Sequence, residues 1–431
     1  AMIEILLATV FVQQEEPRVP TWKQDVHEII LSNCMPCHSS GGAGAFHLLR
    51  YEDVAGRASF IVELTRNGVM PPWTVDDSGL PVHHKRGISK EEIETIQRWI
   101  DAGKPEGDGA EIAICGGGLV IPDATGHTNP DTPWIIPAES AARWHKGIRD
   151  KRTFVLPINN PNPMKVTSLK CSTTAPRAVQ MVCFVFDHQG RARMFDGWDP
   201  DEPGYEMMGD IGWVPSGTHG KIGPGSGVVS LPHGFHWEVP PNIDFVAETH
   251  FRPTGKIEQL SLSVDLFEDA IEGSRAVQEI VSMIRRIVIE ADDDAFVATE
   301  HLDIPFAVDV IGITPRAGAE CSGMTISSTN SEGTKQLLLS YSDWDPHYGE
   351  TVFFKKPFRV MKGDTITSVW NFNNSDSNPR NPFVPAQFID LARKTGVANF
   401  VLHVAPVQVE QTSDLYEWNL SMLRKRQRAV Q

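Results

Sequence analysis

Cys34-Met35-Pro36-Cys37-His38 is the stretch of this sequence whose residue types and spacing can do chemistry. Two thiols three positions apart, with an imidazole immediately after, are what covalent attachment of a c-type haem requires. Each thiol adds across a vinyl group of the porphyrin, and the histidine ligates the iron. The same C-x-x-C spacing also serves as a redox dithiol or as half of a zinc site. A zinc ribbon needs a second pair, and the other four cysteines (Cys115, Cys171, Cys183 and Cys321) do not make one. No βαβ pattern surrounds the motif to suggest a thioredoxin-like fold, so Cys34, Cys37 and His38 are read as haem-binding residues.

The elements around the motif must position it. Residues 22–33 carry Trp22, Val26, Ile29 and Ile30 at a helical period leading into the cysteines. Residues 51–66 form a second helical candidate. Ser89-Lys90-Glu91-Glu92 has the form of a capping box, with Ile93, Ile96 and Ile100 on one face behind it. Gly103 and Pro105 then follow in the order that ends a helix. Between the second and third candidates, Met70 lies in Val69-Met70-Pro71-Pro72-Trp73, where a thioether on the iron would raise the potential and suit electron transfer. A lone methionine is also ordinary core filling. His47, His83 and His84 are the alternative distal ligands.

Residues 22–107 resemble the cytochrome c module at the N-terminus of many planctomycete-type secreted proteins. The matching pieces are NCMPCH, FHLLRYEDVAGRA, VMPPW and ISKEEIETIQRWIDAGKPEGD. The resemblance implies a class I cytochrome c domain with Met70 as distal ligand.

Residues 110–149, with Gly116-Gly117-Gly118 and several prolines, read as a linker. Short β-type runs then recur to residue 403, separated by Pro and Gly turns, as in antiparallel sandwiches. This region resembles the two-domain body of ascorbate-dependent copper monooxygenases of the peptidylglycine and dopamine hydroxylase type, through THFRPTGKIE, SDWDPHYGETVFFKKP and NNSDSNPRNP. That resemblance implies two copper sites, and the chain departs from both. Gln180 and Met181 stand where the first copper takes paired histidines, and only His250 matches. Arg316, Gly318 and Val397 stand where the second takes His-x-His and Met. A permanently cationic Arg316 repels a metal. A rewired copper site from His233, His236, His250 and Met181 is the remaining route to copper; loop histidines and a core methionine are the plainer account.

The chain has 431 residues, 41% hydrophobic and 22% charged, with 39 basic against 55 acidic side chains and a formal charge of -16. That balance excludes a phosphate-backbone partner and favours a redox partner with a basic docking surface. No run is long enough to span a bilayer as a helix. Residues 5–12 could be the apolar region of a secretory signal, although Glu4 and the absence of a basic start argue otherwise. Haem c is attached outside the cytoplasm, so a bacterial periplasmic or secreted location is expected, where disulfides among the remaining cysteines are allowed.

The expected fold class is multidomain. A possible leader (1–20) precedes an all-α class I cytochrome c domain (21–109) and the linker (110–149). Two antiparallel, jelly-roll-like β-sandwiches (150–279 and 280–408) and a helical tail (409–431) follow. The expected function is electron transfer through one covalent haem iron, on a body that has lost its copper centres. The alternative is an oxidoreductase: a haem-fed, copper-dependent monooxygenase.

Overall fold

The computed structural model describes residues 18–39, 42–72, 74–83, 85–109, 126–128, 134–136, 151–198, 200, 203–206, 218–223, 227–252, 254–284, 287–390 and 398–428. Antiparallel β-sheet dominates it. The N-terminal segment holds a π-helical turn (Trp22–Val26) and short helices at His27–Asn33, Tyr51–Ala55, Ala58–Arg66 and Lys90–Asp101. The capping box at Ser89 forms: its Oγ accepts from the Glu92 N–H at 3.1 Å, and the Glu92 carboxylate accepts from the Ser89 N–H at 2.7 Å. Trp22, Val26, Ile30, Val54, Ile61, Ile96 and Trp99 close a small core between these helices. The Trp99 indole N–H donates to the Pro105 carbonyl at 2.9 Å, which ties the last helix to the residues after it.

The first β unit places Lys151–Pro157, Asp244–Phe251, Val179–Phe186 and Gly220–Ile222 side by side, in that order. Strands including Ser168–Thr173, Leu262–Phe267 and Phe235–Val239 supply the facing layer. Phe184 and Phe186 from one layer meet Trp237 from the other at 5.7 and 6.3 Å between ring centres. In the second unit, Gln278–Met283, Ala398–Pro406, Val308–Ala317 and Val352–Val360 form one sheet. The facing sheet is Phe296–Asp303, Thr365–Phe372, Cys321–Thr329 and Lys335–Tyr341. The two units share packing, because Ile311, Phe353 and Ala405 of the second join the core of the first. The helix Thr412–Arg428 lies on the second unit, with Leu415 buried and the Asn419 amide donating to the Glu279 carbonyl at 2.8 Å.

The architecture departs from the expected one. The chain is mostly antiparallel sheet, and its N-terminal segment is not an independent all-α class I cytochrome domain. Its helices are only 5 to 12 residues long. Residues 74–83 are not helical; they belong to the second β unit. Val82 bridges to Phe354 as an antiparallel strand residue and is buried in that unit's core. The backbone N–H groups of Asp76, Leu80 and His83 donate to Ser340, Leu338 and Phe353 at 2.8–3.0 Å. The 51–66 candidate is broken at Gly56-Arg57 into two helices. The physical reason for the overall difference is non-local. A loop with no apolar period of its own is ordered by the edge strands of two distant sheets, Lys335–Tyr341 and Val352–Val360.

Candidate functional site

Cys34 caps the helix His27–Asn33, its N–H donating to the Ile30 carbonyl. One turn further, the Cys37 and His38 N–H groups both donate to the Cys34 carbonyl, at 3.2 and 2.9 Å. The backbone thus gathers the two thiols and the imidazole within one turn, while Met35 is buried in the helical core between them.

His38 is oriented by its own loop. Its Nδ1 lies 2.8 Å from the Phe46 carbonyl oxygen. A carbonyl only accepts, so Nδ1 carries the hydrogen and the Nε2 lone pair is the available ligand. The Leu48 N–H donates to the His38 carbonyl at 2.8 Å, and the Phe46 ring lies 4.7 Å from the imidazole. A Cβ on Gly44 would sit 2.7 Å from Nδ1, and one on Gly42 only 2.1 Å from the Cys37 carbonyl oxygen. The loop can close on His38 because both positions are glycine.

Burial and the adjacent Cys37 push the Cys34 thiol up to about 12. Burial also raises Cys37, opposed by Arg86 and Arg252 and reinforced by Glu350. Those charged residues come from elsewhere in the chain and dock the motif. Arg252 donates to the Ala43 carbonyl at 3.1 Å and Arg177 to the Ala45 carbonyl at 3.2 Å. Arg86 pairs with Glu350 at 2.7 Å. Met70 follows the helix Ala58–Arg66, its N–H donating to Leu64 and its side chain on the surface. His47 is exposed, His83 lies on the segment bound to the second unit, and His84 is outside the described residues.

Of the four residues of the rewired copper set, Met181 and His250 face each other on paired strands, while His233 and His236 lie elsewhere. His236 lies opposite Trp237 on the outer face of its layer, bonded to Ser274 at 2.9 Å and Glu238 at 3.2 Å. His250 lies on the outer face of the other layer, and His233 is exposed in a turn. Arg316 occupies the Val308–Ala317 strand; Val397 and Cys115 are outside the described residues. Cys171 and Cys183 stand in different sheets, and all five described cysteines are thiols.

What the structure brings to His250 is a set missed in the sequence. Alternation along Val179–Phe186 sends Val182, Phe184 and Phe186 inward and Met181, Cys183 and Val185 outward. On the neighbouring strand Glu248 stands across from Cys183, and His250 across from Met181. The Cys183 Sγ is 3.9 Å from His250 Nε2, which is 2.8 Å from Glu248 Oε1. Lys151 donates to the other carboxylate oxygen at 2.8 Å. Burial disfavours a charged imidazole, but hydrogen bonds and charges from Cys183 and Glu248 outweigh it and hold His250 at about 10. Burial likewise opposes the charged forms of Cys183 and Glu248, yet His250 keeps both below their usual values. The readable signal was Glu248-Thr249-His250, since a spacing of two on a strand puts both side chains on one face.

A second polar cluster lies between the β units. His219 Nε2 is 3.6 Å from one Glu279 oxygen, and His403 Nδ1 is 3.8 Å from the other. Thr314 Oγ1 is bonded to His403 Nε2 at 2.7 Å. Burial pushes His219 down to about 4 and His403 to about 3, and pushes Glu279 up.

No family model matches the chain, and no curated protein matches it. Among solved structures it is similar to the major capsid protein P2 from bacteriophage PM2, at 8% identity and a TM-score of 0.27, over 65% of this chain and 97% of that one. A protein from Eubacterium rectale is similar at 10% identity and a TM-score of 0.19, over 62% and 72% of the two chains. These scores are too low to assign a shared fold or to bear on function.

Proposed function

We propose that the protein is a bacterial periplasmic or secreted electron carrier in which Cys34 and Cys37 would attach one haem c and His38 would ligate its iron. The observation that carries this reading is the His38 Nδ1 to Phe46 carbonyl bond within the C-x-x-C-H turn. It fixes the tautomer that leaves Nε2 for a metal, as the outer partners of metal-bound histidines do. The residues fit the group. Both cysteines are thiols, the form that would supply the two thioether attachments without any oxidant. The bound group would supply one-electron chemistry at a potential set by its axial ligands.

The chain's own residues do the rest. Phe46 and Gly44 hold the imidazole in place, and Arg86, Arg252 and Glu350 set the local field beside Cys37. Met70 is the proposed distal ligand. The acidic surface is suited to a redox partner with a basic face. Copper chemistry has no place in this reading, because the family's ligand positions carry Gln180, Met181, Arg316 and Gly318.

The test is maturation of the full chain in a host that attaches haem c, followed by denaturation and extraction of non-covalent haem. The proposal expects one haem per chain to remain, and expects Cys34→Ser with Cys37→Ser to abolish it. Iron and copper per chain, measured on the same sample, distinguish the carrier from a haem-fed monooxygenase. One iron with no tightly held copper supports the carrier.

A further inference from the structure

The outer face of the first β unit carries three metal-ligating atoms of different kinds on two paired strands. The Cys183 Sγ, a Glu248 carboxylate oxygen and a His250 ring nitrogen all lie within 4.8 Å of one another. Cys183 and Glu248 are buried, and His250 is nearly so. We propose that Cys183, Glu248 and His250 form a binding site for a divalent transition metal of the zinc class, separate from the C-x-x-C-H motif.

The donor set selects the metal. One thiolate, one imidazole and one carboxylate are the three ligand types zinc takes, whereas calcium and magnesium take oxygen alone. A tetrahedral zinc with bonds of about 2.3 Å to sulfur and about 2.0 Å to nitrogen sets those atoms about 3.5 Å apart. The Cys183 to His250 separation is 3.9 Å, so closure needs only a few tenths of an ångström. The His250 to Glu248 contact, at 2.8 Å, would open by a similar amount, and the metal would take the place of the proton on Nε2, which leaves to solvent.

The surroundings hold the ligands in place. Lys151 occupies Oε2 of Glu248 and leaves Oε1 facing His250, as an outer-shell donor orients a metal-bound carboxylate. The strand pairing fixes Glu248 across from Cys183. Met181 lies beside Cys183 on the same face and directly across from His250, which puts a thioether-bearing residue next to the site. Lys221 is in electrostatic reach of Cys183 and Glu248, but its Nζ donates to the Pro315 carbonyl at 3.1 Å. With Lys151 it balances the two anionic ligands, so affinity rests on the ligand bonds and not on net charge.

The experiment uses the full chain as isolated, whether or not it carries haem, stripped with a chelator and equilibrated with zinc alone, with a Cys34→Ser, Cys37→Ser chain in parallel to remove the C-x-x-C thiols as sulfur donors. Zinc per chain is measured by mass spectrometry and the zinc surroundings by X-ray absorption. The expected result is one retained zinc with one sulfur neighbour. In Cys183→Ser the sulfur neighbour disappears and affinity falls at least tenfold, while Glu248→Gln keeps the sulfur and loses about tenfold. Zinc that is not retained, zinc without a sulfur neighbour, or unchanged binding in Cys183→Ser each overturns the proposal. If a variant fails to fold by circular dichroism, the absorption spectrum of the unaltered protein still decides. None of these readouts depends on the haem, so the two proposals fail separately.

Discussion

The contact that joins the C-x-x-C-H segment to the second β unit can be tested as a coupling energy. Arg86 and Glu350 meet at 2.7 Å, with side chains 18% and 13% exposed. At that separation Coulomb attraction is about 1.5 kcal/mol in water and about 6 kcal/mol at an effective dielectric of 20. Desolvating two mostly buried groups cancels much of the larger figure, which leaves a coupling of about 1–3 kcal/mol. The assay is native-state hydrogen exchange at the Leu80 and His83 amides, which bond to Leu338 and Phe353 and report opening of the docked segment. Arg86→Ala and Glu350→Gln should each speed exchange. In a double-mutant cycle the coupling should correspond to about 5- to 150-fold in the opening equilibrium. Strict additivity, within about 0.5 kcal/mol, would show that the pair does not hold the segment and would refute the docking argument.

Three other outcomes follow from particular side chains. Trp99 is fully buried and its indole N–H is bonded, so Trp99→Ala should cost about 3–5 kcal/mol; a lower urea midpoint by circular dichroism checks it, and an unchanged one contradicts it. Gly44→Ala puts a Cβ 2.7 Å from His38 Nδ1, so covalent haem should survive while the axial-ligand absorption shifts; an unchanged spectrum would contradict the close approach. His219 and His403 are held below the ordinary imidazole value, at about 4 and about 3, so the unfolded chain binds the extra protons. Stability is therefore full above about pH 6.5 and falls as pH drops toward 4, by up to about 1.4 kcal/mol per pH unit for each imidazole. His403→Gln should flatten that slope in urea unfolding, and an unaltered slope would count against it.

Local features were legible in the sequence, and contacts between distant segments were not. The capping box at Ser89 and the C-x-x-C-H turn are decided within a few residues, and the side chains alone indicate them. The 74–83 segment has no period, and its place against Leu338, Ser340 and Phe353 depends on an edge more than 250 residues away. Helical periods alone imply an all-α domain, because that edge leaves no trace in the local pattern. The Cys183, Glu248 and His250 set needed the strand register, since Cys183 and Glu248 become neighbours only when Val179–Phe186 pairs with Asp244–Phe251. The same register decides which members of the rewired copper set meet: Met181 and His250 do. His236 and His250 are close in sequence, but alternation and layering send them to opposite outer faces.

The central claim is that Cys34, Cys37 and His38 hold a haem. Its most direct test is the haem that remains on the matured chain after denaturation and acid–acetone extraction, read as a pyridine haemochrome. One equivalent, lost when Cys34 and Cys37 are both serine, is the predicted result. A chain that retains none, or whose haem persists without those thiols, contradicts it.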